Sequence, residues 1–421
     1  MNPVQNEPLW EPITRDAGPA YSRPLLGSEL LTDQFHRYHD GFACPIIAAT
    51  LELGIHDPRL RSWLYTPAKG AKEVREWAQE VVVVLDEPME PDAFVGQTVE
   101  RRLPYVLSNG REQLIRVYLF ERVGDAEGAY SLFLHGPHCI MDARPTLDLF
   151  WFMFHSMSES NPAPLESFEW GSEWKNLPVG PVVATGGPRP DWEGQGIPAI
   201  QKIGSLLANP VPTLSIVPQR TEVGIVGRSC RVRKTFDEQQ SAQILKHTKA
   251  AGCTVTHLFE AAQMIAIVAR NPELRVPPSD AHVTYPLGFM SLAKFRVPPY
   301  DTRSQVVSSM AALPITSRYE EIPQPSQVDK EALTALMRKL KAQYDDYLKN
   351  PHFPHLTAAL MRLAPPYEPV NPNPYATAIT NIGVIDNMIP TTWRQDNDAS
   401  KEPVFTITSM SVGHRLTSLI P

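Results

Sequence analysis

No stretch of this 421-residue sequence is apolar for long enough to cross a bilayer; the densest, around residues 150–154, falls far short of the ~20 residues required. The segment 1–16 is polar, holds three prolines and has no apolar stretch of the kind a secretory signal needs. Basic clusters are equally scarce. A formal net charge of -7, with no run of five Lys/Arg, leaves no electrostatic footprint for a nucleic-acid backbone or an anionic membrane. Cysteine is confined to Cys44, Cys139, Cys230 and Cys253 without a CxxC pair, so neither a zinc knuckle nor a disulfide framework is expected. There is no GxxxxGK phosphate loop, no GxGxxG fingerprint and no GxSxG elbow, which sets aside the common nucleotide, dinucleotide and serine-hydrolase readings. Together these absences predict a soluble, cytoplasmic protein without a bound metal or a resident cofactor.

What is present is an ordinary globular composition, 43% apolar and 20% charged, on a chain long enough for one large domain or two of about 200 residues. Proline is the excess, 42 residues that fall mainly between periodic segments, so long stiffened loops are expected. In the first half the pattern predicts a helix over 28–38, a buried element over 42–53, a central strand from Val81 to Leu85, and strands over 113–121 and 130–134. An apolar helix then opens at Pro145 and Thr146. The proline- and glycine-rich stretch 161–217 reads as a crossover.

Beyond it, a strand is expected over 227–236, with Arg231 and Arg233 on one face. A helix follows over 238–251, capped by Asp237 and ended by Gly252, and another over 257–270 behind Thr254. A strand over 282–289, a long helix over 326–348 and late strands over 377–385 and 404–412 complete the pattern. Strands and helices alternate in both halves, giving an α/β or α+β chain with a first lobe over 1–185, a linker over 186–220 and a second lobe over 221–421.

The chemistry concentrates in one run. A strand delivers His135-Gly136-Pro137-His138 into a turn, Asp142 stands four residues after His138, and an apolar helix follows. His138-Cys139-Ile140-Met141-Asp142 resembles the HxxxD motif of the CoA-dependent acyltransferase superfamily, which includes chloramphenicol acetyltransferase, the plant BAHD enzymes, peptide-synthetase condensation domains and fungal alcohol and trichothecene acetyltransferases. Other segments carry the same resemblance. Arg23-Pro24-Leu25-Leu26-Gly27-Ser28-Glu29 looks like the opening of the fungal members, Gly252-Cys253-Thr254 with Leu258 and Ala261-Ala262 looks like their second helix start, and Thr380-Asn381-Ile382-Gly383 is similar to their NxG strand.

The resemblance implies two chloramphenicol-acetyltransferase-like lobes, each a mixed β-sheet packed with helices, with a tunnel between them. It implies acyl-CoA as co-substrate, a hydrophobic secondary metabolite as hydroxyl acceptor, and a monomer that builds the complete site alone. An alcohol attacks a thioester only when a base near neutral pKa removes its proton, a task suited to imidazole, so His138 is the expected general base. Asp142 is the expected structural partner of the motif, held by an arginine from elsewhere. Thr380, Asn381 and Gly383 are the expected substrate-side residues, and either of the first two could serve as oxyanion donor. Arg228, Arg231, Arg233 and Lys234 could meet CoA phosphates, although alternating arginines also make an ordinary wet strand face.

Two departures stand out. Ala143 replaces the usual glycine after the motif, and Gly288 stands where the arginine partner is expected, which leaves Arg144, Arg296 and Arg303 as substitutes. These departures motivate an alternative, a repurposed fold catalysing a CoA-independent cyclisation or rearrangement. The remaining candidates read as structural: His135 as a neighbour of the base, Cys139 as packing, His36, His39 and Asp40 as a helix face, and His352 and His355 as loop residues.

Overall fold

The computed structural model describes residues 2–15, 18–38, 51–57, 60–124, 128–216, 232–303, 310–363 and 379–414. The chain opens with an antiparallel sheet of β1 (Glu11–Arg15), β2 (Gly18–Pro24), β3 (Leu51–Asp57) and β4 (Leu60–Tyr65), in the order β1-β2-β4-β3, with α1 (Ser28–Tyr38) between β2 and β3. A buried ion pair fixes the turn from β2 into α1. Both Arg23 Nη atoms donate to the Glu29 carboxylate, at 3.0 and 2.8 Å, and Glu29 Oε2 also accepts from Leu26 N–H. The Arg23-to-Glu29 run is therefore a folding device. Arg23→Met is expected to leave Glu29 buried without its counter-charge and to cost about 3–5 kcal/mol, read from urea unfolding.

Next come α2 (Ala71–Val81), β5 (Val82–Val84), α3 (Pro91–Thr98), the short pair β6 (Tyr105–Val106) and β7 (Glu112–Gln113), then β8 (Arg116–Glu121) and β9 (Tyr130–His135). β8 lies between β5, parallel to it, and β9, antiparallel. The run from Val81 to Leu85 thus differs from the central strand its β-branched composition predicts: Val81 ends the helix, and β5 is an edge with Val82 and Val84 exposed. β propensity is not evidence of centrality, because an edge strand uses the same residues. β9 leads through the motif into α4 (Ala143–Ser158).

The proline-rich crossover is ordered. It carries α5 (Pro181–Ala184), a π-helical turn over Trp192–Gly196 and α6 (Ile197–Leu207), and it places Trp192 and Ile203 in the largest core cluster. That cluster is completed by α8 (Val255–Arg270), which follows α7 (Glu238–Ala250), the antiparallel pair β10 (His282–Ser291) and β11 (Met310–Arg318), α9 (Lys330–Lys349) and α10 (Phe353–Leu363). Val4 joins it from far away in sequence. Nearby, Glu7 accepts from the N–H groups of Val182 and Val183 at the start of α5, and Arg362 of α10 donates to the Pro3 carbonyl. A last pair, β12 (Thr392–Arg394) and β13 (Pro403–Thr406), packs Trp393 and Phe405 on α4.

Several sequence expectations hold. Asp237 and Gln240 form a capping box for α7, Gly252 follows it at φ 72°, and Thr254 caps α8. Others are corrected. Residues 232–237 form no strand, and Val232 is 91% exposed; Arg228, Arg231 and Cys230 lie outside the described residues. Of the 42–53 element only residues 51–53 fall in the described part, as the start of β3; Cys44, His39, Asp40 and the His36 side chain lie outside it. Residues 379–384 form no ladder. Asn381 Oδ1 instead accepts from Gly383 N–H at 2.8 Å, closing a local turn around a glycine at φ 88° that competes with strand pairing. His352 and His355, read as loop residues, are fully buried, the latter on α10.

Candidate active site

The motif is fixed by the residues between its two chemical ones. After β9 the chain turns at Pro137, whose carbonyl accepts from Ile140 N–H at 3.1 Å and Met141 N–H at 3.2 Å. Cys139 is buried against Leu25, Leu30, Trp63 and Ile115, and Met141 against Val81, Val117 and Leu134. Two apolar anchors in two clusters thus hold the turn, and Cys139 is a packing residue as expected. His135, fully buried at the end of β9, is hydrogen-bonded through Nδ1 to the Tyr105 hydroxyl, which lies 3.1 Å from the Tyr118 hydroxyl. That network explains a histidine there without chemistry.

His138 differs. It is partly buried, and its Nδ1 is buried without a well-formed hydrogen bond. Burial lowers its pKa below the ordinary histidine value, while the Asp142 carboxylate and the backbone carbonyls of His138 and Met141 pull the other way. A neutral imidazole can accept a proton on the ring nitrogen that carries none. Facing it is His414, with ring centroids 5.8 Å apart and planes tilted by 35°. Sequence reasoning missed this residue because a lone histidine after Gly413 carries no motif.

Asp142 caps α4, its carboxylate accepting from Ala143 N–H at 2.7 Å. Ala143 is an ordinary helical residue without positive φ, so the missing glycine places no strain here. The arginine question also resolves. At Gly288 a Cβ would lie 2.7 Å from Ile315 Cγ1, 2.8 Å from the Leu313 carbonyl oxygen and 3.1 Å from the Tyr344 hydroxyl, so no side chain fits. The positive charge comes from the loop after β10. Arg296 interacts favourably with Asp148 and Asp142, and Arg303 Nη1 lies 3.7 Å from Asp148 Oδ1 while donating to the Met388 carbonyl at 2.7 Å. Asp148, one and a half turns into α4, is buried and has a raised pKa from burial, countered by Arg303, Arg144 and Arg296.

The other expected residues have surroundings of their own. Thr380, Asn381 and Gly383 are exposed, and Asn381 Nδ2 donates to Thr256 Oγ1 on α8 at 3.0 Å; no hydrogen bond joins the three to His138 among the described residues. Arg233 donates to Ser411 Oγ at 3.0 Å and lies 3.5 Å from Asp92 Oδ1. No group of three or more metal-ligating side chains occurs among the described residues.

Burial also fixes a pH dependence of stability. His355 is pushed down to about 3 and His414 to about 4, chiefly by desolvation, whereas Glu260 is pushed up to about 7 by the same cause. Between pH 6.5 and about 4.5 the unfolded chain comes to hold two histidine protons that the folded chain refuses, while the folded chain already holds a proton on Glu260 that the unfolded chain largely lacks. For these three groups the net approaches one proton favouring the unfolded state, so their contribution to stability should fall by up to about 1.4 kcal/mol per pH unit toward the acid end, measurable as a drop in the urea midpoint between pH 6.5 and 4.5.

No family model matches the sequence, and no curated protein sequence matches it. Solved structures do. The chain is similar to the TRI3 trichothecene 15-O-acetyltransferase from Fusarium sporotrichioides, with a TM-score of 0.75 at 16% identity, over 99% of this chain and 89% of that one. A further similarity is to F. graminearum TRI101 complexed with coenzyme A and deoxynivalenol, with a TM-score of 0.40 at 14% identity, over 82% of this chain and 74% of that one. The first likeness shows that the chain has the mixed α/β fold expected from the acyltransferase resemblance.

Proposed function

We propose that this protein is an acyl-CoA-dependent O-acyltransferase that moves an acyl group onto a hydroxyl of a hydrophobic secondary metabolite, with His138 as general base. The observation that carries the reading is His138 itself, a partly buried, neutral imidazole held in the motif turn that follows β9, in a fold shared with a trichothecene acetyltransferase. The acceptor hydroxyl gives its proton to His138 as its oxygen attacks the thioester carbonyl. The tetrahedral oxyanion then collapses, the C–S bond breaks, and the imidazolium returns the proton to the CoA thiolate. Asp142 does not touch substrate. It holds the turn through the Ala143 N–H and shares the field of Arg296, which stands in for an arginine at Gly288. Thr380 and Asn381 are proposed as oxyanion donors and Gly383 as their neighbour on the substrate side. Acyl-CoA and acceptor would enter a tunnel from opposite sides between a lobe over 1–185 and a lobe over 221–421, in a cytoplasmic monomer.

A CoA-independent cyclisation was motivated by Ala143 and Gly288. Helical geometry at Ala143 and the charge supplied by Arg296 remove both motives. Calorimetry with acetyl-CoA separates the readings: specific binding with one site per chain is expected, and no binding of any short acyl-CoA would overturn the transferase. Because burial lowers the His138 pKa, the acid limb of kcat/KM should lie below the ordinary histidine value of about 6.5.

A further inference from the structure

The last described residues run past the candidate base. Beyond β13, Ile407 N–H donates to the Thr391 carbonyl at 2.7 Å, and Arg233 holds Ser411 Oγ at 3.0 Å. Gly413 then approaches α3 so closely that a Cβ would run into Val95 and lie 3.2 Å from Val99 Cγ1. Three anchors thus deliver His414 to its place 5.8 Å from the His138 ring centroid. The glycine matters because any side chain at 413 would lift this strap off α3 and carry the next residue with it.

We propose that His414 is a positioning residue for His138: the strap over 407–414 holds a second imidazole against the first and fixes the plane in which the base meets the acceptor hydroxyl. This inference rests on the reading of His138 as general base. Burial, helped by repulsion whenever His138 is protonated, keeps His414 uncharged until about pH 4, so the base has a neutral neighbour throughout the working range. Among the described residues, Asp142 acts on His138 and His138 acts on His414, while Val95 of α3 and Val99 just after it face the strap. A neutral, polarisable ring restricts rotation of His138 without opposing the imidazolium that forms during attack, whereas a cationic side chain would oppose it.

The test has two arms. In the first, histidine titrations are followed by NMR on the full chain. The His414 midpoint is expected near 4 in the natural sequence; it should rise in His138→Gln, which removes the lesser cause of the shift, and rise further toward the ordinary 6.5 in Gly413→Ala, which displaces the strap and so relieves burial, the larger cause. A midpoint unmoved by His138→Gln means that the two rings do not face each other, and the inference fails. In the second arm, thiol release from acetyl-CoA is measured with water as acceptor. His414→Ala should lower kcat roughly 10- to 100-fold with the KM for acetyl-CoA nearly unchanged, and His414→Phe, which keeps a ring, should recover most of the loss. Unchanged kcat in His414→Ala, or equal losses in the Ala and Phe variants, overturns the role. If the natural sequence releases no thiol and binds no acetyl-CoA, it is the acyltransferase reading that has failed, and the NMR arm still decides where His414 sits.

Discussion

His138→Ala is expected to remain folded, within about 1 kcal/mol of the natural stability, while acyl transfer from acetyl-CoA slows roughly 10²- to 10⁴-fold. The two halves of this expectation have different causes. Stability is spared because the motif turn is held by Cys139 and Met141 in their separate clusters and by the Pro137 carbonyl, and His138 contributes no well-formed hydrogen bond through its buried Nδ1. Rate is lost because no other base beside the turn is found among the described residues. His414, whose ring centroid lies 5.8 Å away, is held neutral to about pH 4, too weak a base to replace it. Thiol release under saturating acetyl-CoA, with urea unfolding of the same preparation, measures both quantities. Activity retained within threefold would remove His138 from the mechanism, and a stability loss above about 3 kcal/mol would make it a structural histidine.

The second large effect concerns the place where the resemblance puts an arginine. Gly288→Ala should cost about 1–3 kcal/mol, and Gly288→Arg should cost more and fail to accumulate as folded protein. β10 and β11 shift register between Tyr285 and Gly288, which brings Gly288 against the Leu313 carbonyl and the Ile315 side chain, with Tyr344 of α9 closing the remaining space. The Leu313 backbone cannot withdraw without breaking the ladder. Tyr344 is itself committed to a hydrogen bond with the buried Glu260 carboxylate. Equal urea midpoints for the natural sequence and Gly288→Arg would show the site to be roomy and would restore Gly288 as the position for the motif arginine. Arg296→Ala would then leave activity untouched.

How much of this was readable beforehand depends on whether the signal was local. The strand, turn and helix around His138 were legible because they rest on adjacent residues, as were the α7 cap at Asp237 and the stop at Gly252. α10 was not, because Pro351 and Pro354 flank His352 and look like loop punctuation. Yet a proline in the first turn of a helix gives up only an N–H that has no intrahelical partner. The edge position of β5 was hidden because composition does not reveal how many neighbours a strand has. The extended segment at Asn381 was misread because a side-chain-to-backbone hydrogen bond won over the ladder. Arg296 was legible only through the resemblance, as one of three substitutes for the arginine absent at Gly288, and His414 not at all, because both reach the site through interactions spanning more than a hundred residues and no periodicity records those.

The attachment of the N-terminal segment bears on how the molecule is made. Val4 completes the largest cluster, Glu7 waits for N–H groups 175 positions later, and the Pro3 carbonyl waits for Arg362, 359 positions away. During synthesis these residues leave the ribosome long before their partners exist, so the cluster cannot close until α10 has emerged. Contacts of that separation slow folding and prolong the exposure of apolar surface to aggregation. Yield from a translating extract should therefore respond to chaperone supply more steeply than the stability of the finished protein would suggest.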